Sequence, residues 1–116
     1  MRSATKMLTG TVAFAAALFA ASSTIHGEVG VSAAEIQLGQ SCALKGPAAG
    51  LGQGMVTGLN VYFDKANASG GINGRTISLK TLNDGYEPDR CEKTTKMLVE
   101  NVKVFDLIGE VGKPTS

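Results

Sequence analysis

The sequence has no tryptophan, one histidine, two cysteines and three prolines among its 116 residues, and aromatic residues make up only 5%. Its one histidine is His26, so the remaining 90 residues have no imidazole. This excludes a Ser-His-Asp or Cys-His mechanism and a histidine-based zinc site in that part of the chain. Two cysteines are too few for a disulfide-dense scaffold. The net charge of +1 gives no basic surface for nucleic acid, so no nucleic-acid partner is expected.

Acidic residues are missing from the first 27 positions, where only Arg2 and Lys6 carry charge. The uncharged run that follows, residues 7–21, is shorter than the ~20 residues that span a bilayer comfortably. Small residues then lead to Ala33 and Ala34. This order predicts a signal peptide over residues 1–34, cleaved after Ala33 or Ala34, and therefore a secreted, periplasmic protein. An uncleaved membrane anchor is the alternative.

Residues 35–116 alternate between two hydrophobic periods. Alternating apolar positions predict strands over 35–40, 75–82 and 104–111. A spacing of three and four predicts a helix over about 51–67, and a second helix begins at Pro88. The order β-α-β-α-β is typical of an α/β fold with a parallel sheet. Ligands of such sheets bind beyond the carboxyl ends of the strands, where we expect the loops 41–52, 83–88 and 112–116.

Glycine-rich and acidic motifs in these loops give weak signals. The spacing of Gly52, Gly54 and Gly58 is a near miss to a dinucleotide fingerprint, whose third glycine is absent. Gly54 and Gly58, inside the predicted helix, indicate close backbone packing. The carboxylates between residues 84 and 92 lack the order of a calcium loop and are typical of a solvated helix start. We therefore expect no cofactor and no metal.

The two cysteines, Cys42 and Cys91, both fall near the same predicted end of the sheet. In an exported chain such a pair favours a disulfide. Two buried, unpaired thiols are the alternative, because the sequence does not give the separation of the two residues.

Several short blocks of residues 35–116, taken in order, resemble the type I periplasmic binding proteins, and more narrowly the branched-chain amino acid receptor family. The blocks are Ile36–Ser41, Gly46–Gly52, Gly58, Asn67–Arg75, Asn83–Pro88 and Ile108–Ser116. The resemblance implies that residues 35–116 are part of the N-terminal lobe of a leucine-binding-protein-like receptor with two lobes. Lys113 and the Cys42/Cys91 pair depart from the family pattern, and the sequence stops one loop after the third strand.

The resemblance also implies which residues face the ligand. Gly50 and Leu51 would lie near the ligand side chain. The carboxylate and ammonium groups of an amino acid would be bound by backbone and hydroxyl groups of Gly112, Pro114, Thr115 and Ser116.

The function implied is that of a non-enzymatic substrate-binding component of an ABC transporter. It would capture an amino acid or a similar small solute in the periplasm and deliver it to a permease in the inner membrane. A ligand-sensing domain of a membrane receptor is the first alternative. An exported α/β enzyme is the second, which the missing histidine and the missing G-x-S-x-G motif disfavour.

Overall fold

The computed structural model describes residues 27–116, in which strands and helices alternate. The elements are β1 (Glu35–Cys42), α1 (Ala49–Ala68), β2 (Thr76–Asn83), α2 (Pro88–Lys96) and β3 (Asp106–Leu107). A π-helical turn, Met97–Val102, continues α2 directly, and a 3-10 turn, Lys113–Thr115, follows β3. Over this stretch none of the helices is both long enough and apolar enough to cross a bilayer. Most of the predicted signal peptide lies outside the described residues.

The three strands form one parallel sheet in the order β2-β1-β3. β1 is paired with β2 along its whole length, from Glu35 opposite Thr76 to Cys42 opposite Asn83. The predicted fold class, an α/β fold with a parallel sheet, is confirmed. Pro88 stands at the start of α2 as predicted, since its fixed φ suits the first helical turn.

The two helices lie on opposite faces of the sheet, as alternate residues of β1 show. Ser41 faces α2, because its hydroxyl lies 2.7 Å from the Thr94 hydroxyl. Gln40 faces the other side, where its amide nitrogen and the side chains of α1 surround Gly109. Successive side chains of a strand point to opposite faces, so Cys42 lies on the α1 side with Gln40. The core thus has two layers, with Phe63 of α1 in one and Leu98 after α2 in the other.

The predicted disulfide is absent: Cys42 and Cys91 are both free, buried thiols. Cys42 lies on the α1 side of β1, whereas Cys91 belongs to α2 on the opposite side. The Cys91 thiol lies instead 3.7 Å from the Ser41 hydroxyl and donates to the Thr115 carbonyl oxygen at 3.2 Å. Lying at the same end of the sheet therefore does not bring the two cysteines together for a disulfide, because they lie on opposite faces of the sheet.

Burial, with the negative charge of Asp84 nearby, raises the pKa of the Cys42 thiol from 9.0 to about 11. We expect iodoacetamide, without reductant, to modify Cys42 and Cys91 of the full-length protein in denaturant and neither of them in the native protein at pH 8. The unfolded chain loses the Cys42 proton near pH 9.0, whereas the folded chain keeps it until the pH approaches 11. The free energy of unfolding should therefore fall as the pH rises through this interval. Mass spectrometry counts the added groups. Two cysteines that stay unmodified in denaturant would instead indicate the disulfide.

The third strand is much shorter than the predicted 104–111. Backbone bonds from Phe105 to Gln37 and from Ile108 to Gly39 mark the ends of its pairing with β1. Gly109 then takes a positive φ of 71°, which turns the chain away from an extended course. The Gln40 side chain, rather than a strand backbone, donates to the Gly109 carbonyl oxygen at 2.8 Å.

Close packing of α1 depends on a different glycine from those predicted. Within the described part of the chain, nothing outside α1's own backbone and the adjacent residues lies within 4 Å of a Cβ built on Gly54 or Gly58, so the prediction for these two was wrong. A Cβ on Gly52 would instead overlap the carbonyl group of Ala43, the residue that follows β1. Gly52 therefore fixes how near the first turn of α1 comes to the end of β1.

Residues 28–34, the last part of the predicted signal peptide, form a turn against the amino ends of β1 and β2. Gln37 donates its backbone N–H to the Gly30 carbonyl oxygen at 2.8 Å. The Arg75 guanidinium donates to the Ser32 carbonyl oxygen at 2.7 Å, and Thr76 to that of Ala34 at 2.9 Å.

Candidate functional site

Three loops meet at the carboxyl end of the sheet, and each follows one strand. The first runs from β1 into α1, the second from β2 into α2, and the third leaves β3 towards Ser116. Parallel strands place these loops side by side, at the edge where α/β proteins bind ligands. This edge is the candidate site.

The first and second loops enclose an open cavity of about 560 Å³. Its walls are Pro47, Ala48, Gly50 and Leu51 from the first loop and the start of α1, together with Tyr86 from the second loop. The side chain of Leu51 is 54% exposed. This is a large exposed fraction for a leucine that no other molecule covers. The predicted residues Gly50 and Leu51 therefore line one cavity, and its side chains are mainly apolar.

Tyr86 holds a backbone conformation that bulky residues rarely adopt. Gly85 and Tyr86 have φ values of 65° and 68°, and the Glu87 N–H bonds to the Asp84 carbonyl oxygen at 3.2 Å. Two successive positive φ angles are what a type I′ turn requires. Glycine takes this conformation freely, but for Tyr86 it costs roughly 1–2 kcal/mol.

A buried polar cluster, made of Asp84, Ser41 and Thr94, holds this turn. One carboxyl oxygen of Asp84, Oδ1, accepts the Tyr86 backbone N–H at 2.8 Å. The other, Oδ2, accepts the Ser41 hydroxyl at 2.9 Å. Asp84 and Ser41 are both fully buried. The cluster thus ties the second loop to β1 and, through Thr94, to α2.

The third loop meets the second at Gly112, which lies against Tyr86 but is not among the residues that line the cavity. A Cβ on Gly112 would lie 2.8 Å from the Tyr86 hydroxyl oxygen and closer still to two carbons of the ring. The tyrosine ring therefore fills the space that a side chain at position 112 would need. Gly112 has a φ of 112°, a value that also favours glycine.

The other predicted residues of the third loop lie elsewhere. Pro114, Thr115 and Ser116 line a separate cavity, also of about 560 Å³, against α2. Thr115 is buried, and its hydroxyl donates to the Val111 carbonyl oxygen at 2.8 Å. The Ser116 hydroxyl donates to Gly112 at the same distance. The structure thus brings Gly50, Leu51 and Gly112 around Tyr86 and leaves these three residues apart from them.

Metal ligands do not gather at the site. Across residues 27–116 there is no group of three or more His, Cys, Asp or Glu side chains that could hold a metal ion.

The sequence of residues 35–116 matches the family described as periplasmic binding protein. The chain belongs to this family. Its parallel sheet and the order of its elements match the type I members, and the solved structures to which it is similar include a periplasmic binding protein type 1 from Bordetella pertussis.

Three solved structures of this type show the likeness. One is a possible leucine/isoleucine/valine-binding protein from Rhodopirellula baltica, with 40% identity over 73% of this chain and a TM-score of 0.69. Another is the branched-chain amino acid transporter substrate binding protein LivJ from Streptococcus pneumoniae, in complex with isoleucine, with 26% identity over 70% and a TM-score of 0.67. A fatty acid ABC transporter substrate-binding protein from Thermomonospora curvata has 26% identity over 77% and a TM-score of 0.63.

The chain spans 23%, 23% and 22% of the lengths of these three proteins. A search of curated proteins gave no match. Each of these three proteins is thus about four times as long as the segment of it that this chain matches.

Tyr86 is the residue of the site that sequence reasoning missed. The loop 83–88 was expected at the site, but no side chain in it was assigned a role. Asp84 two positions before Tyr86 is the one available signal, because an Asp side chain often bonds the backbone N–H two residues on. This signal was overlooked because Gly85 lies between the two residues. A glycine by itself accounts for a turn with one positive φ, so a second positive φ at Tyr86 was not expected.

Proposed function

We propose that this periplasmic binding protein is the substrate-binding component of an ABC transporter and captures an amino acid or a similar small solute. The observation that carries the proposal is the meeting of three loops at one end of the sheet, where Gly50, Leu51 and Tyr86 line an open cavity and Gly112 lies against the Tyr86 side chain. The relatives that bind leucine, isoleucine or valine, and the relative named for fatty acids, support a ligand with an apolar part.

Within this proposal the two sides of the cavity have different roles. Leu51, Ala48 and Pro47 would surround the apolar part of the ligand. The backbone around Gly112 would bind its carboxylate, and Pro114, Thr115 and Ser116 would contribute once the second lobe closes. The Thr115 and Ser116 hydroxyls now donate within their own loop, so their use would require this loop to rearrange.

We propose binding without chemical conversion. Ser41 and Asp84, a hydroxyl and a carboxyl that could serve catalysis, are fully buried and bonded to each other. They stabilise the second loop instead of lining the cavity.

Export and delivery complete the proposal. Residues 1–34 would direct the chain to the periplasm and be removed, and an inner-membrane permease would receive the ligand. The turn formed by residues 28–34 bonds to β1 and β2, so cleavage after Ala33 or Ala34 would remove most of these contacts. The mass of the exported protein tests this boundary, and a mature chain that begins before residue 28 would contradict it.

Thermal unfolding of the full-length protein with single amino acids, short amides and aromatic acids tests the function. We expect at least one of these compounds to raise the Tm, because a ligand at 100 times its Kd stabilises the folded state by about 2.7 kcal/mol. Leu51→Asp should abolish the rise by placing a charge in the apolar cavity.

Val61→Asp is the matched control. Val61 is also on α1 and is 66% exposed, but it lies away from the cavity. We expect this variant to keep the Tm rise. The absence of any rise with the wild-type protein would refute the proposed function.

A further inference from the structure

Tyr86 is the most unusual backbone position at the candidate site. Among residues 27–116 only Asn73, Tyr86 and Lys103 have a positive φ without being glycine. Asn73 precedes a glycine in a tight turn, where asparagine is common, and Lys103 ends the π-helical turn after α2. Neither reason applies to a tyrosine at the end of a sheet. Strained residues of this kind cluster where a ligand is bound.

A chain of hydrogen bonds joins the strained turn to β1 and α2. Asp84 accepts the Tyr86 backbone N–H, and its other oxygen accepts the Ser41 hydroxyl of β1. Ser41 is in turn within hydrogen-bond distance of Thr94 on α2. The backbone of Tyr86 is therefore held in place, and its side chain leaves the turn between the first and third loops.

The ring and the hydroxyl of Tyr86 lie at different parts of the site. The ring is a wall of the cavity formed by Pro47, Ala48, Gly50 and Leu51. The hydroxyl lies beside Gly112 of the third loop. A ligand with an apolar side group in this cavity and a polar group at the third loop would pass along the whole length of the tyrosine.

We propose that Tyr86 is a specificity-determining residue, on the basis of the proposed function. Its ring packs against the apolar side group of the ligand, and its hydroxyl bonds the polar group that lies near Gly112. The class of ligand is an α-amino acid or related carboxylate whose side group is branched aliphatic or aromatic. A charged side group is rejected, because apolar walls leave it without a partner.

The test measures the affinity of the full-length protein for L-leucine, L-phenylalanine and L-glutamate by calorimetry. Tyr86→Gly removes the side chain but keeps a residue that adopts a positive φ without strain, so the turn should keep its conformation. We expect at least tenfold weaker binding of leucine and phenylalanine. Tyr86→Phe, which loses only the hydroxyl, should weaken both by a few fold.

Lys103→Gly is the matched control, since Lys103 has a φ of 59° and is exposed away from the cavity. It should bind leucine and phenylalanine as the wild type does. Wild-type affinity in Tyr86→Gly would overturn the role of Tyr86 while leaving the proposed function intact. Tighter binding of glutamate than of leucine by the wild type would overturn the ligand class. No binding of any of the three by the wild type would refute this proposal, and the thermal screen would show whether the function fails as well.

Discussion

Gly52→Ala should lower the free energy of unfolding of the full-length protein by roughly 1–3 kcal/mol, the usual cost of an overpacked position. The added Cβ would overlap the carbonyl group of Ala43, which is 2% exposed. A backbone carbonyl cannot rotate away as the end of a flexible side chain can. The first turn of α1 must therefore move from β1, and Gly50 and Leu51 move with it. Urea unfolding measures the loss, and we expect ligand binding to weaken as well.

Gly54→Ala is the control for this change, because it lies on the same helix one half-turn further on. Apart from its chain neighbours and the backbone of α1 itself, no atom of residues 27–116 lies within 4 Å of its Cβ position. Alanine forms helices more readily than glycine, so this variant should be more stable than the wild type by up to about 1 kcal/mol. If the two substitutions changed stability in the same direction, close packing at Gly52 would be contradicted.

Asp84→Ala should lower the free energy of unfolding by about 1–3 kcal/mol, the cost of leaving a buried hydrogen-bonding group without its partner. The substitution removes both the acceptor for the Tyr86 N–H and the acceptor for the Ser41 hydroxyl. The turn that holds Tyr86 would then lose its support. We therefore expect weaker binding of leucine by the full-length protein, measured beside its urea unfolding.

Asp84→Asn separates the two contributions of this residue. Its amide oxygen still accepts the Tyr86 N–H, and its amide nitrogen can donate to Ser41. This variant should keep most of the stability and most of the leucine affinity. Wild-type stability in Asp84→Ala would show that the buried cluster does not hold the loop.

The sequence predicted β1, α1 and β2 well because their hydrophobic periods are regular, and Gly70 and Gly71 mark the end of α1. β3 was predicted eight residues long and has two, since the positive φ of Gly109 and the bond from Gln40 end the pairing early. Both features depend on contacts between residues that are distant in sequence. The local hydrophobic pattern therefore predicts that this strand exists and where it falls in the order of elements, but not its length.

The face on which each side chain lies was harder to predict than the element to which it belongs. Cys42 and Ser41 are neighbours, yet one faces α1 and the other faces α2. A shift of one residue in the predicted strand exchanges the two faces, so the disulfide could not be judged from the position of Cys42 in the sequence. The rotation of α1 about its own axis is uncertain in a similar way. Gly54 and Gly58 were therefore predicted to pack closely, whereas the structure has Gly52 in that position.

The candidate site was predicted in outline through the resemblance to a family. It gave Gly50, Leu51 and Gly112, which lie around one aromatic ring. It also gave the hydroxyl of Thr115, which the structure places in a buried bond within its own loop. The positive φ of Tyr86 could not be predicted in the same way, because it depends on the buried contacts of Asp84, and an Asp two residues earlier is by itself common in ordinary turns.

The position of β1 in the centre of the sheet has a consequence for the order in which the chain folds. β1 is synthesised before either of its neighbours, yet Leu38 is paired with Leu79 on one side and with Asp106 on the other. Each pairing closes a long loop, and such non-local contacts make folding slow. The central strand thus stays open on one side until Asp106 and Leu107 have been made, so the sheet cannot form while only its first two strands have been synthesised.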